Sequence, residues 1–356
     1  MEINGLAIDE RGILTKCADD RESIVLPKGI VGIASRAFEN CAKLESIQCN
    51  EGLETIYDCA FLNCPSLKKI VFPSSLKRFA LFDESFSVFE GCPNIETILI
   101  DGNNARYSSC GANVIFDKKT STLLFGCRHS RIPPETKVIG SRSFYKEAGL
   151  ADIELPEALA KIAGEAFYGC RGLGRLSVPK NLMEIDPTTF FGAELDAIEI
   201  DPENPVFQVI DGVLMTKDGV TVLSVKHAPV PASATAIGDN SFEGSRLDSV
   251  VIPPSVRTVG SGAFLNSSMK ELVVSEGVKE ILSRAFSGCH GLKKVYLPHS
   301  LLDNIDFDMD FGIARNAFFD CPALRTIVFR GSEEEWMGLC EECGLSFKGV
   351  EIQFEE

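Results

Sequence analysis

Apolar residues in this chain recur as a fixed cassette, not at helical spacing. "AFENCAKLESI" begins at Ala37, "AFLNCPSLKKI" at Ala60, "AFYGCRGLGRL" at Ala166, "AFSGCHGLKKV" at Ala285 and "AFFDCPALRTI" at Ala317. A phenylalanine marks each copy: Phe38, Phe61, Phe89, Phe144, Phe167, Phe190, Phe242, Phe264, Phe286 and Phe318. Where nothing is inserted the step between them is 22 or 23 residues. A period in the twenties predicts a solenoid with one short strand per coil.

After each phenylalanine the chain reads as a turn, then Leu-x-x-Ile-x-Leu-Pro, then a second Leu-x-x-Ile. "LKKIVFPSSLKRF" and "LDSVVIPPSVRTV" show it best. Ile-x-Leu alternates with period two, which predicts a half-buried strand. Pro73, Pro156, Pro179, Pro253 and Pro298 end it, because proline has no N–H to give a ladder. One such unit cannot bury its own apolar face, so neighbours must stack, at about the 4.8 Å of adjacent strands.

Two steps, Phe89 to Phe144 and Phe190 to Phe242, are much longer than the period. Each holds two apolar strand-length stretches around a polar turn, Val114 to Phe116 with Leu123 to Phe125 and Val213 to Met215 with Val222 to Val225. Asp218-Gly219 between two such stretches is a hairpin signal. We read β-hairpin inserts at about 101–135 and 201–231, and expect the second to be removable without loss of fold. "AIDERGILTK" is similar to "VIDGVLMTK", so residues 1–23 read as a truncated hairpin-like cap on a solenoid at 24–331. Residues 332–356 read as a C-terminal cap holding the sole tryptophan, Trp336, and a helix with Ser332 as N-cap and Glu335 three residues on.

Charge narrows the partners. Among 356 residues the formal net charge is −16, which disfavours extended contact with nucleic acid or an anionic membrane. No apolar run reaches the roughly 18 residues of a membrane span. The opening "MEINGLAIDERG" has no apolar leader region, so a cytoplasmic location is expected. Secretion or surface display is the alternative if a signal sequence has been removed.

The 13 cysteines form no disulfide framework. Six of them, Cys41, Cys64, Cys92, Cys170, Cys289 and Cys321, stand three residues after a marker phenylalanine. The other copies carry Glu147, Ala193, Ser245 and Ser267 there. A small side chain is what most copies share, so we expect reduced, buried, inert thiols.

Metal and catalytic signals are poor. Asp306-x-Asp308-x-Asp310 is spaced like a calcium loop but has Phe311 at the sixth position and Ala317 at the twelfth, where glycine and glutamate are needed. Cys340-x-x-Cys343 lacks the second pair of a zinc site. His129, His227, His290 and His299 fall in no metalloprotease or nucleophile motif. We therefore expect no cofactor and no enzyme. The alternative is a cryptic enzyme whose site is built from the two inserts, around His129 and His227.

The repeat Ala-Phe-x-x-Cys-x-x-Leu-x-x-Ile-x-Leu-Pro-x-x-Leu-x-x-Ile resembles the BspA-like, or Treponema pallidum type, leucine-rich repeat. "FRGSEEEW" is similar to a segment that often closes such proteins. The resemblance implies a curved α/β solenoid: about ten coils of 22–23 residues, short parallel strands on the concave face, and here two β-hairpin inserts. Members are mostly bacterial, many of them surface or secreted proteins linked to adhesion.

Function is then expected as binding of a protein partner by a monomeric scaffold. In Ile-x-Leu the middle residue faces outward, giving the column Gln48, Val71, Leu99, Glu154, Ser177, Glu199, Val251, Val273, Tyr296 and Val328. Its apolar members Val71, Leu99, Val251, Val273, Tyr296 and Val328 are the candidate binding residues, with Glu271 and Lys294 in a polar rim beside Ser249 and Thr326.

Overall fold

The computed structural model describes residues 2–18, 20–79, 87–147, 150, 152–303 and 312–355. Asp306, Asp308 and Asp310 lie outside the described residues. The chain forms two compact units, Met1–Leu173 with Asn181–Ala193, and Gly174–Lys180 with Glu194–Glu356.

Each coil has three sides. On the first, the Ile-x-Leu segments form long strands in parallel ladders. In the first unit these are Ser23–Val25, Ser46–Gln48, Lys69–Phe72 and Thr97–Ile100. In the second they are Ser249–Ile252, Glu271–Val274, Lys294–Leu297, Thr326–Arg330 and Glu351–Glu355. The second Leu-x-x-Ile gives strands of only two residues, such as Gly32–Ile33, Thr55–Ile56 and Arg78–Phe79. These also pair in parallel, Ile33 with Ile56 and Ile56 with Phe79.

The third side carries the Ala-Phe segment, and here the α/β expectation is corrected to a β-solenoid. Helix among the described residues is confined to a 3₁₀ turn at His299–Leu302 and one α-helix, Glu333–Glu342. The Ala-Phe segments are double turns because left-handed residues recur four apart, as at Arg36 (φ 60°) and Asn40 (φ 61°), and again at Arg142 and Lys146. A left-handed residue cannot continue an α-helix. Alternate N–H groups close the turns, as Glu39 N–H does on Arg36 O, and those between them bond the next coil. Phe38 N–H donates to Ala60 O at 2.9 Å and Asn40 N–H to Leu62 O at 2.9 Å. Backbone bonding thus runs from coil to coil on all three sides.

Phenylalanines stack along the core of each unit. Ring centroids are 4.9 Å apart for Phe38–Phe61 and 5.2 Å for Phe144–Phe167. In the second unit they are 5.0 Å apart for Phe242–Phe264 and 5.4 Å for Phe264–Phe286.

The stretches read as inserts are three-stranded antiparallel meanders: Tyr107–Ser108, Val114–Asp117 and Thr122–Gly126 in the first unit, and Phe207–Ile210, Val213–Thr216 and Val220–Ser224 in the second. Glu2–Ile3, Leu6–Ile8 and Ile13–Cys17 are built alike. In each, the last strand pairs in parallel with the first two-residue strand that follows: Ile13 with Gly32, Thr122 with Val138, Val220 with Ala236. A meander therefore starts a ladder and does not merely decorate it. Val213 and Met215 are fully buried in the second unit's core, which argues against the expectation that this insert is dispensable.

Asparagine sets the entry to both inner meanders. Asn104 Nδ2 donates to the carbonyls of Pro73 (3.1 Å) and Leu76 (3.0 Å), while its Oδ1 accepts from the N–H groups of Arg106 and Tyr107. Asn204 repeats this with Pro179 O at 2.8 Å and the N–H groups of Val206 and Phe207.

Candidate functional site

The long-strand face is where outward side chains gather, because one residue in two must point away from the core. In the first unit Val25, Gln48, Val71 and Leu99 stand in one register. Val25 is 67% exposed and Leu99 43%, while Val71 is half-buried.

In the second unit the register joins Val251, Val273, Tyr296, Val328 and Gln353. Val251 is 55% exposed, and Val273 and Tyr296 are half-buried. Val328 is 1% exposed and is no surface residue. The strand Glu351–Glu355 continues the ladder beyond it, so the short valine sits between the longer side chains of Tyr296 and Gln353. The candidate surface contracts to Val71 and Leu99 in one unit and Val251, Val273 and Tyr296 in the other. Glu154, Ser177 and Glu199 are exposed polar members of the column, and Glu199 pairs with Arg175 at 2.9 Å.

Two members escaped the sequence reading. Val25 precedes the first marker phenylalanine, yet "IVLP" at 24–27 carries the Ile-x-Leu-Pro signal. Gln353 belongs to "EIQF", where the proline is missing.

The rim in the second unit is Ser249, Glu271, Lys294, Thr326 and Glu351, again in register. Lys294 Nζ lies 4.5 Å from the centroid of the Tyr296 ring. A hydrogen bond to Tyr296, with Glu271 and Glu355 nearby, holds the ammonium pKa above its ordinary value. The pair thus presents a fixed positive charge on an aromatic ring beside an apolar strip.

The groups considered for chemistry are dispersed. His129 is exposed in the first unit and His227 in the second. His290 faces Asp320 and His299 faces Glu335, each at 3.2 Å. Among the described residues no three His, Cys, Asp or Glu side chains converge as metal ligands. Cys340 and Cys343 are half-buried and in no disulfide. Burial pushes the thiols of Cys170 and Cys289 up to about 12; at Cys64 a hydrogen bond with Cys41 pulls the value down, but one with Cys92 and burial carry it up to about 12. Thiols held there are poor nucleophiles.

A family model described as BspA type leucine rich repeat region, in 6 copies, matches residues 14–126, 137–209 and 221–337. The chain belongs to that family. A leucine rich cell surface protein from Faecalibacterium prausnitzii A2-165 is similar in structure, with a TM-score of 0.61 at 21% identity over 94% of this chain and 95% of that one. The pneumococcal vaccine antigen PcpA aligns over 100% of both chains at 14% identity with a TM-score of 0.44. The Treponema pallidum leucine-rich repeat protein aligns over 98% of this chain and 95% of that one at 14% identity, with a TM-score of 0.23. No curated protein matches the chain. The matches indicate no enzyme family, and no helix among the described residues is long and apolar enough to cross a membrane.

Proposed function

We propose that this protein is a non-enzymatic scaffold that binds a protein partner on its long-strand face, as a monomer and without a cofactor. The observation that carries this is the run Val251, Val273 and Tyr296 in strict register on one face, with Val251 more than half exposed. Aligned apolar side chains beside a polar rim are what a protein interface uses at its centre. The first unit's Val25, Val71 and Leu99 form a second, smaller strip of the same kind. We further propose that this face is the concave one, that residues 1–23 and 332–356 act as caps, and that the chain works at a bacterial cell surface. The likeness to a cell surface protein supports the last point. The test is the double change Val273→Asp with Tyr296→Ser. Partner capture should be lost while the melting temperature stays nearly unchanged. Capture that survives refutes the site.

A further inference from the structure

In the first unit, the coil of residues 127–147 and the coil after it are closed on two of their three sides. Val138 pairs with Lys161 and Ile139 with Ile162. Phe144 N–H donates to Ala166 O at 2.9 Å, and Lys146 N–H to Tyr168 O at 2.7 Å. On the third side the coils part. Residues 127–134, which stand where a long strand belongs, form turns and irregular backbone. The family match skips 127–136 as well. Among the described residues, no strand of that coil pairs with the next long strand, Asp152–Ile153.

A cleft of about 750 Å³ lies between them. Ile132, Phe144, Ile153 and Leu155 line it with apolar side chains, and Arg131 and Glu154 line it with charged ones. Ile153 and Leu155 occupy the inward positions that other coils close. Ile70 and Phe72 are 0% and 1% exposed there, and Val295 and Leu297 both 0%. Ile153 and Leu155 are instead only half-buried. Two core side chains are thus left facing an opening shaped by the absence of one strand.

We propose that this cleft binds an extended segment of a partner protein, reading apolar-x-apolar, which adds a rung to the interrupted ladder. The ladder itself defines the occupant. The strand Lys69–Phe72 sits in the uninterrupted equivalent, with Ile70 in register between Ile47 and Ile98 and Ile70 and Phe72 sealed in the core. Main-chain bonding to a strand edge would supply affinity, and two inward apolar residues on Ile153 and Leu155 would supply selectivity. The residue between them would face outward between Arg131 and Glu154, so a polar side chain suits that position. This site is independent of the proposed Val273–Tyr296 surface.

The probe is a fluorescent peptide copying Leu67–Pro73, titrated with the whole chain. Saturable binding is expected, weakened about tenfold when the peptide's two inward residues become aspartate. Leu155→Lys and Ile132→Lys, each checked for native circular dichroism, should weaken binding similarly. Met183→Lys, on an exposed residue outside the cleft, should leave it unchanged. Amide exchange should slow at 153–155 on binding. The proposal is overturned if the wild-type chain fails to bind up to millimolar peptide, or binds the aspartate peptide equally. It is equally overturned if both lysine variants bind as wild type, or if sedimentation shows a second copy of the chain already filling the cleft.

Discussion

The thiol of Cys170 donates a hydrogen bond to the carbonyl oxygen of Phe144, one coil back, at 2.9 Å. The same bond joins Cys64 to Phe38, Cys92 to Phe61, Cys289 to Phe264 and Cys321 to Phe286. Ser267 makes it to Phe242 with a hydroxyl. The recurring cysteine is therefore a small donor that ties successive coils, and smallness is only half of its role. Cys170→Ala should cost about 1 kcal/mol, because the Phe144 carbonyl loses one of its two donors and keeps only the Glu147 N–H. Cys170→Ser should cost less. Chemical denaturation that ranks alanine at or above serine would reduce the thiol to an apolar filler.

Thiol reactivity should follow burial. Cys110 is exposed, whereas Cys49, Cys64, Cys170 and Cys289 are buried with pKa values pushed up to about 12. Maleimide at neutral pH should label Cys110 first in the native protein, the half-buried Cys41 and Cys321 more slowly, and the buried ladder thiols Cys64, Cys92, Cys170 and Cys289 only on unfolding. Mass mapping that finds native Cys64 or Cys170 labelled as fast as Cys110 contradicts this.

Glu147 occupies the ladder position that cysteine holds elsewhere. Burial pushes its carboxyl from an ordinary 4.5 up to about 7, with Arg128 pulling it back down. The native state therefore holds the proton more tightly than the unfolded chain. This stabilisation is fully present below about pH 4.5 and is lost as pH rises through about 7, a fall on the order of 3 kcal/mol. Glu147→Gln should remove that slope. Urea titrations at pH 5 and pH 8 should find the variant's advantage larger at pH 8, and an equal difference at both refutes the assignment.

Asp117 is buried and held by Arg106, whose Nη2 lies 2.8 Å and Nε 2.9 Å from its carboxylate. Arg106→Val alone should cost about 3 kcal/mol, since it strands a buried charge. The second meander has Val206 and Thr216 at the matching places. The double change Arg106→Val with Asp117→Thr should recover most of the loss. Additive costs in the cycle would show that the pair is not coupled.

Removal of residues 204–229 should abolish cooperative unfolding of the second unit. It takes away Val220–Ser224, the strand that opens that unit's ladder of two-residue strands, and the buried Val213 and Met215. A deletion that melts as sharply as the intact chain would show that Ala236–Ile237 can open the ladder alone.

The repeat was legible because stacking imposes one rule on every coil. Phe38, Phe61 and Phe167 mark it, and period-two alternation placed Val251, Val273 and Tyr296 in register. What escaped depends on neighbours beyond the cassette. Val328 reads as outward in its own strand but is covered by flanking rungs. The helix implied by the resemblance gave way to turns because Arg36 and Asn40 are left-handed, a backbone state that asparagine favours and arginine does not advertise. Ile153 and Leu155 read as ordinary core. Only the irregular backbone at 127–134 shows that their cover is missing.

Bonding that runs only between adjacent coils also fixes how each unit would respond to tension. Among the described residues the backbone ladders join neighbouring coils, so a pull along the chain loads one coil-to-coil seam at a time. Each peeled coil would release about 75 Å of chain while those behind it stay wound. The unit would lengthen in steps and rewind when slack, acting as a shock absorber for whatever it is attached to.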